Sequence, residues 1–541
     1  MKRRDRVAEW FEGNPTSLDV VVQLRAKGGT WSTVLSVLQE SHGYPFLSDT
    51  AVMRYFARHD KAIRKRAKAI IPSFKRTARD LKKLSKGETF FVTSAVNNCA
   101  ADREMVQALR HWQGYTGGKV LVNPILYVNP TRRKDLQALS PDVWWDKDLV
   151  DSGWMLQDEL RPHRYLSIMA TKPQATSNNP LPPRIESLTQ DRSAIFCHPQ
   201  IAMRTVATPQ EDFPKILYSS GAITEKSYSD TTTGDIAEFH HSIGGVIVEV
   251  RGKKFHLREV SWDGKQFIDL DTTFDSKGVW VAPPAEALVM GDIHAPYLPS
   301  EDVMEATFGE GGILSSTKAK LLLLHDLFDA GSVNAHEWGK KLSRAARYRQ
   351  GRTNVEKEVL GVADWLHLLA DPCGAKVHVV ASNHDDMLLR WLEGGEKNVD
   401  PENRAFYHHL SAEMLDYHEE HGEFPNVLEL ALRRVGYLGG AVFHGIDDSL
   451  RIKGVELAMH GHLGPNGARG SAKGLSRIGT RSIIAHSHAP MIWQGVYQVG
   501  HSSKARHGYN AGPSSWLTTH ALLLANGRRQ MVHLIGRDWR G

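Results

Sequence analysis

Cysteine is scarce in this chain: three residues in 541, at Cys99, Cys197 and Cys373, with no two close enough in sequence to make a metal-binding pair. So low a count argues against an oxidising compartment and against thiolate chemistry. Long apolar runs are also missing. None approaches the ~18 residues that cross a bilayer, so a membrane is not an expected partner. The opening MKRRDRVAEWFEG carries charge without the apolar stretch of a signal peptide, and the expected location is cytoplasmic. Repeats and low-complexity tracts are absent too, and nothing in the pattern specifies a homo-oligomer.

The length exceeds what one ordinary core organises, so roughly two to four domains are expected. The net charge of +6 conceals an asymmetry: residues 1 to 86 hold 19 Lys and Arg against 8 Asp and Glu, which is +11, and the remainder sums to −5. Lys61 to Lys86 alone has eleven basic residues and one acidic one, Asp80. A polyanion is the natural partner for such a segment.

Ser17, Thr30 and the Ser48-Asp49 pair stand where three short helices would be capped, and Gly28-Gly29 would end the first. Three helices with a tight break before the last resemble a helix-turn-helix. In that arrangement Arg54 and Arg58 project towards a DNA duplex, and Lys61, Arg64, Lys65 and Arg66 follow its phosphates. The alternative is a small bundle for protein contacts followed by a solvated basic helix. From Gly87 the texture changes: TFFVTSAV, ADREMVQALRHWQGY and KVLVNPILYV read as a βαβ unit, and GGVIVEV with FHLREV as antiparallel strands. Cys99 and His198 in this part read as packing and surface residues.

In the last 256 residues, five apolar runs deliver Asp, Asn or His at their carboxyl ends. ALVM leads to Asp292 and His294, LLLL to Asp326 and Asp329, and VHVVA to Asn383, His384 and Asp385. LAM leads to His460, and SIIA to His486 and His488. That end of the strands is where α/β sheets bind ligands. Each block alone has a plain explanation as a helix cap, a turn or a surface histidine. Together they make a set of oxygen and nitrogen donors suited to Mn²⁺, Fe or Zn²⁺. Residues two apart on an extended chain share a face, so Asp292 and His294 point the same way, as do His486 and His488. For the fourth block, FHG at His444 competes with MHGH at His460; the apolar LAM before it and the glycine-rich stretch after it favour His460.

The ordered set resembles the calcineurin-like metallophosphoesterases, whose pattern runs D-x-H, G-D-x-x-D, G-N-H-D/E, a lone His, and G-H-x-H. Three glycines of that pattern are replaced here by His325, Ser382 and Ala485, and His325 is the residue expected to need positive φ. The resemblance implies one cation on Asp292, His294, Asp326 and His488, and another on Asp326, Asn383, His460 and His486, most readily Mn²⁺. It further implies a metal-bridging hydroxide as nucleophile, His384 as the leaving-group acid, and Asp329 and Asp385 as acceptors that fix imidazole tautomers.

The expected fold class is thus α/β in three parts. A basic helix-turn-helix-like module covers 1–86, an α/β domain of no assigned role 87–285, and a metallophosphoesterase sandwich 286–541, two mixed sheets flanked by helices. DNA is the expected substrate. Besides the N-terminal charge, Lys340, Lys341, Arg344, Arg347, Arg349 and Arg352 follow Asp329, with Trp338 and Tyr348 among them, and Arg469 and Lys473 follow His460. The other reading of 340–352 is an exposed amphipathic helix. The layout is similar to phage-encoded early DNases of the T5 type that degrade host DNA. Two further readings stay open: a phosphatase or nucleotide phosphodiesterase with a small or protein substrate, and a DNA-binding regulator on a non-catalytic metal scaffold.

Overall fold

The computed structural model describes residues 87–541 apart from 128–143, 157, 170–172, 210–212, 336–339, 371–373, 396–398, 506 and 508–509; before 87 it describes only residues 10, 11, 14, 17, 38 and 39. The expected helix-turn-helix, with Arg54, Arg58, Lys61, Arg64, Lys65 and Arg66, lies outside the described residues, as does Trp338. The chain divides into two compact units. One comprises Met1–Asp80, Ala330–Pro372 and Asp385–Gly440, and the other Leu81–Asp329, Cys373–His384 and Ala441–Gly541.

The second unit is built from sheets. In the six-stranded one, Val442–His444, Lys376–Val380, Leu321–Leu324 and Ala287–Val289 run parallel, and Thr519–Leu523 and Arg529–His533 complete it antiparallel. The two central parallel strands, Ala287–Val289 and Leu321–Leu324, are wholly apolar because both faces are covered, the LLLL run being buried from Leu322 onward. A ten-stranded sheet joins strands between Leu160 and Ser220 to strands between Arg451 and Gln498, through the pairing of Ile201–Val206 with Met491–Trp493. Residues 87–285 and 286–541 therefore do not separate into independent domains at 285. The reason is the shared ladder together with a core that draws Val92 and Val248 from one part and Val289, Leu323 and Met531 from the other.

The βαβ unit forms as the periodicity implied. Strand Glu88–Val96, helix Arg103–Thr116 and the parallel strand Lys119–Ile125 follow one another. Asp102 caps the helix by accepting from Met105 N at 2.9 Å, and Gly117 ends it in the left-handed conformation. Alternation along the first strand sends Phe90 and Val92 into the inter-sheet core and Phe91 and Ala95 under the helix, against Met105, Leu109 and Trp112. The antiparallel pair Gly244–Arg251 and Lys254–Ser261 is present as well. His198 is buried rather than superficial, with Nε2 3.0 Å from Gln174 O.

The other unit is helical in its described residues: Lys341–Arg349, Val355–Ala370, Arg404–His421 and Val427–Arg434, with most of Asn383–Glu393. Glu358, fully buried, receives the backbone N–H groups of Gly331 and Ser332, both at 2.9 Å. Among the described residues no helix is long and apolar enough to cross a membrane.

Candidate metal centre

Loops that leave strands of two different sheets would scatter their side chains if they were loose. Here the ladder continues as isolated backbone bonds past the regular strands. His294 N–H donates to Asp326 O at 2.7 Å and Ala295 N–H to Leu327 O at 2.8 Å; Asp292 N–H donates to Gly500 O at 3.1 Å, and Ala485 N–H to His460 O at 2.7 Å. These bonds tie the Asp292 and His294 loop to that of Asp326 and to Gly500, and the His460 loop to that of His486. Gly291 makes the Asp292–Gly500 crossing possible, because a Cβ there would lie 2.7 Å from backbone atoms of Gly500 and His501.

The side chains meet in two groups. In one, His488 Nε2 lies 3.1 Å from Asp292 Oδ2 and 3.1 Å from His294 Nε2, and His294 Nε2 is 3.8 Å from Asp326 Oδ2. In the other, His460 Nε2 is 3.3 Å from Asp326 Oδ1 and 3.1 Å from Asn383 Oδ1, and His486 Nδ1 is 2.9 Å from the same Asn383 oxygen. Asp326 offers one carboxylate oxygen to each group. Ligand atoms of Asp292, Asp326 and His488, and of Asp326, His460 and His486, lie within 4.8 Å of one another in each set.

Electrostatics single this cluster out. Asp292, Asp326, His294, His460 and His488 are all buried, and neither oxygen of Asp292 finds a well-aligned donor. Burial, with the Asp326 charge adding to it, pushes the Asp292 carboxyl far above the carboxylate range. Burial opposes ionisation of Asp326 too, but His460, His384 and His294 together hold it well below that range. The imidazoles respond to the same burial: His460 and His488 are lowered, and His486 falls to about 4. Buried imidazoles converging on two buried acids are a donor set that suits a divalent cation, since metal ligands must be deprotonated and buried charge must be compensated. Four of these residues, His294, Asp326, His486 and His488, also hold left-handed backbone (φ 57°, 42°, 76° and 58°). Such strain persists only where the surroundings over-determine it, and it concentrates at functional sites.

His384 lies at the rim, half-buried, its Nδ1 2.6 Å from the backbone carbonyl of Asp329. The Asp329 carboxylate is 3.5 Å from His294 Nδ1. Asp385 is buried in the first turn of helix Asn383–Glu393 and is grouped with the helical unit. One expectation is corrected by a neighbouring residue. Positive φ falls on Asp326 and not on His325, whose ring instead stacks 5.6 Å from His460. Of the two histidines weighed for the fourth block, His444 stacks on His378 at 5.0 Å, Nε2 to Nδ1 2.7 Å, and the preferred His460 is the one that meets Asp326 and Asn383. His462 stands 5.3 Å from His460 between ring centres.

Of the second basic segment, Lys341 to Arg349 is an exposed helix with no buried residue, in the helical unit. Arg344 pairs with Asp400 and Arg347 donates to Gly331 O, while Lys340 and Arg352 flank the helix. Arg469 is exposed and Lys473 lies over the Trp493 ring at 4.7 Å. Sequence reading missed His507, whose ring stands 4.9 Å from His294 and 5.5 Å from His488, and Trp516, 4.1 Å from His488. Neither follows an apolar run, so the strand-end signal does not mark them.

No family model matches the chain, and no solved structure does. The chain is similar to Protein A1 of Escherichia phage T5, 29% identical over 464 residues that cover 83% of this chain and 82% of that protein. The relationship is to a phage protein along most of both chains.

Proposed function

We propose that this chain is a phage-encoded, dinuclear-metal-dependent phosphodiesterase of the calcineurin-like type that cleaves DNA in the host cytoplasm. The observation that carries the reading is Asp326, one buried carboxylate placed between two convergent donor groups. Asp292, His294, Asp326 and His488 would hold one cation, and Asp326, Asn383, His460 and His486 the other. When bound, two such cations supply Lewis-acid activation of water and neutralise charge on a phosphoryl group. Mn²⁺ suits the mixed oxygen and nitrogen donors, with Fe and Zn²⁺ the other candidates.

The chain's own residues do the rest. The Asp329 carbonyl fixes the His384 ring through Nδ1, leaving Nε2 to carry a proton to the departing ester oxygen. The Asp329 carboxylate faces His294 Nδ1 and orients that ring. For substrate, the eleven cations of 61–86 and the exposed helix Lys341–Arg349 suit a phosphate backbone. The phage relative agrees with a phage source and is silent on activity.

The test is incubation of supercoiled and linear duplex with the protein, with and without Mn²⁺ and EDTA. Metal-dependent nicked circles identify an endonuclease, and shortening from ends alone an exonuclease. Intact DNA alongside hydrolysis of a small chromogenic diester would replace DNA with a small substrate. If no ester is cleaved but DNA is bound, the scaffold-regulator reading takes its place.

A further inference from the structure

The two donor groups are unequal. Around Asp326, His460 and His486 the Asn383 oxygen completes the set, whereas the Asp292 side has a third imidazole that none of the five strand-end blocks supplies. His507 comes from the loop after His501, and its ligand atom lies within 4.8 Å of those of His294 and His488. We propose that His507 is an additional ligand of the cation on the Asp292 side, making that position richer in imidazole than its neighbour. This rests on the two-cation reading above and adds a residue to it.

The loop is built to present this ring. His501 bridges to Asp292 and Ser503 to Pro299, and Lys504 N–H donates to Leu298 O at 2.7 Å, so the start of the loop is pinned to the segment bearing Asp292 and His294. Asn510 closes it, accepting from His507 N at 3.1 Å and donating to Ala505 O at 2.7 Å. Buried Ser503 Oγ lies 2.6 Å from His507 Nε2, the kind of partner that fixes a ligating imidazole. Trp516 stands edge-on to both His488 (4.1 Å) and His507 (5.1 Å), a single apolar wall for the two rings. Metal–nitrogen bonds of about 2.1 Å put ligands of one ion up to about 4.2 Å apart, so the three imidazoles need only a small inward shift to share one. Added nitrogen raises affinity for later first-row ions over Mg²⁺.

The test uses the full-length chain stripped with EDTA and titrated with Mn²⁺, free ion being counted by electron paramagnetic resonance. Wild type is expected to take up two ions. His507→Ala keeps one at wild-type affinity and holds the other at least about tenfold more weakly. His507→Gln, which retains size and a hydrogen bond to Ser503, behaves like His507→Ala. Combined with His486→Ala, which weakens the opposite position, His507→Ala leaves no tightly held ion. Unchanged affinities in His507→Ala would overturn the assignment while leaving the two-cation centre standing. Wild-type affinity in His507→Gln would reduce His507 to packing, and uptake of no ion by wild type would remove the centre and this ligand together.

Discussion

Asp292 illustrates what individual residues contribute. It is fully buried, lacks a well-aligned donor and faces a second acid, so the metal-free fold carries an uncompensated electrostatic cost there. Asp292→Asn is expected to raise the metal-free melting temperature, by about 2 °C or more, and to reduce, without abolishing, the further rise that Mn²⁺ gives wild type; calorimetry with and without Mn²⁺ checks both. His384→Ala should cut DNA turnover by about 10²- to 10⁴-fold with both ions retained, whereas Asp326→Ala should lose both, as metal analysis would show. Away from the centre, Glu259 is buried beneath Tyr218, whose hydroxyl donates to it at 3.0 Å, and burial lifts its carboxyl to about 8. An acid raised in the folded state binds more protons folded than unfolded between about pH 4.5 and 8, so its contribution declines as pH rises through that window. Glu259→Gln should flatten that decline, by on the order of 1 kcal/mol per pH unit, in denaturant unfolding measured at several pH values.

At the scale of elements, the centre depends on how short parallel strands are extended by loop-to-loop backbone bonds. Gly291→Ala would push Asp292 away from Gly500, and it is expected to weaken Mn²⁺ binding more than a surface Gly→Ala change at Gly114, where nothing lies within 4 Å of the added methyl. Helix Arg103–Thr116 shows the ordinary counterpart. Trp112 is completely buried and packs edge-to-face on Phe91 at 5.5 Å. Trp112→Ala should cost about 3 to 5 kcal/mol of unfolding free energy, with Mn²⁺ stoichiometry of the folded fraction unchanged.

For the molecule as a whole, charge and chemistry sit in different stretches of sequence. Removing the eleven cations of 61–86 is expected to lower the slope of log affinity against log salt for duplex DNA, by about 0.9 for each phosphate that those cations neutralise, while hydrolysis of a small diester is retained. Equal slopes in the two proteins would show that this segment does not track the backbone.

The blocks that converge were legible because Asp, Asn and His recurring after successive apolar runs stand out by residue type without a fold. The βαβ unit was legible because apolar periodicity records which face is buried. Three things required the tertiary structure. Sequence favoured His460 over His444, but only the structure gave each its partner, His378 for His444 and Asn383 for His460. Only it placed His507, because a loop residue brought in by long-range backbone bonds carries no local signal. And only it showed that 87–285 shares a sheet and a core with the C-terminal part, because strand pairing between distant segments is decided by backbone hydrogen bonds and common burial, which composition does not record.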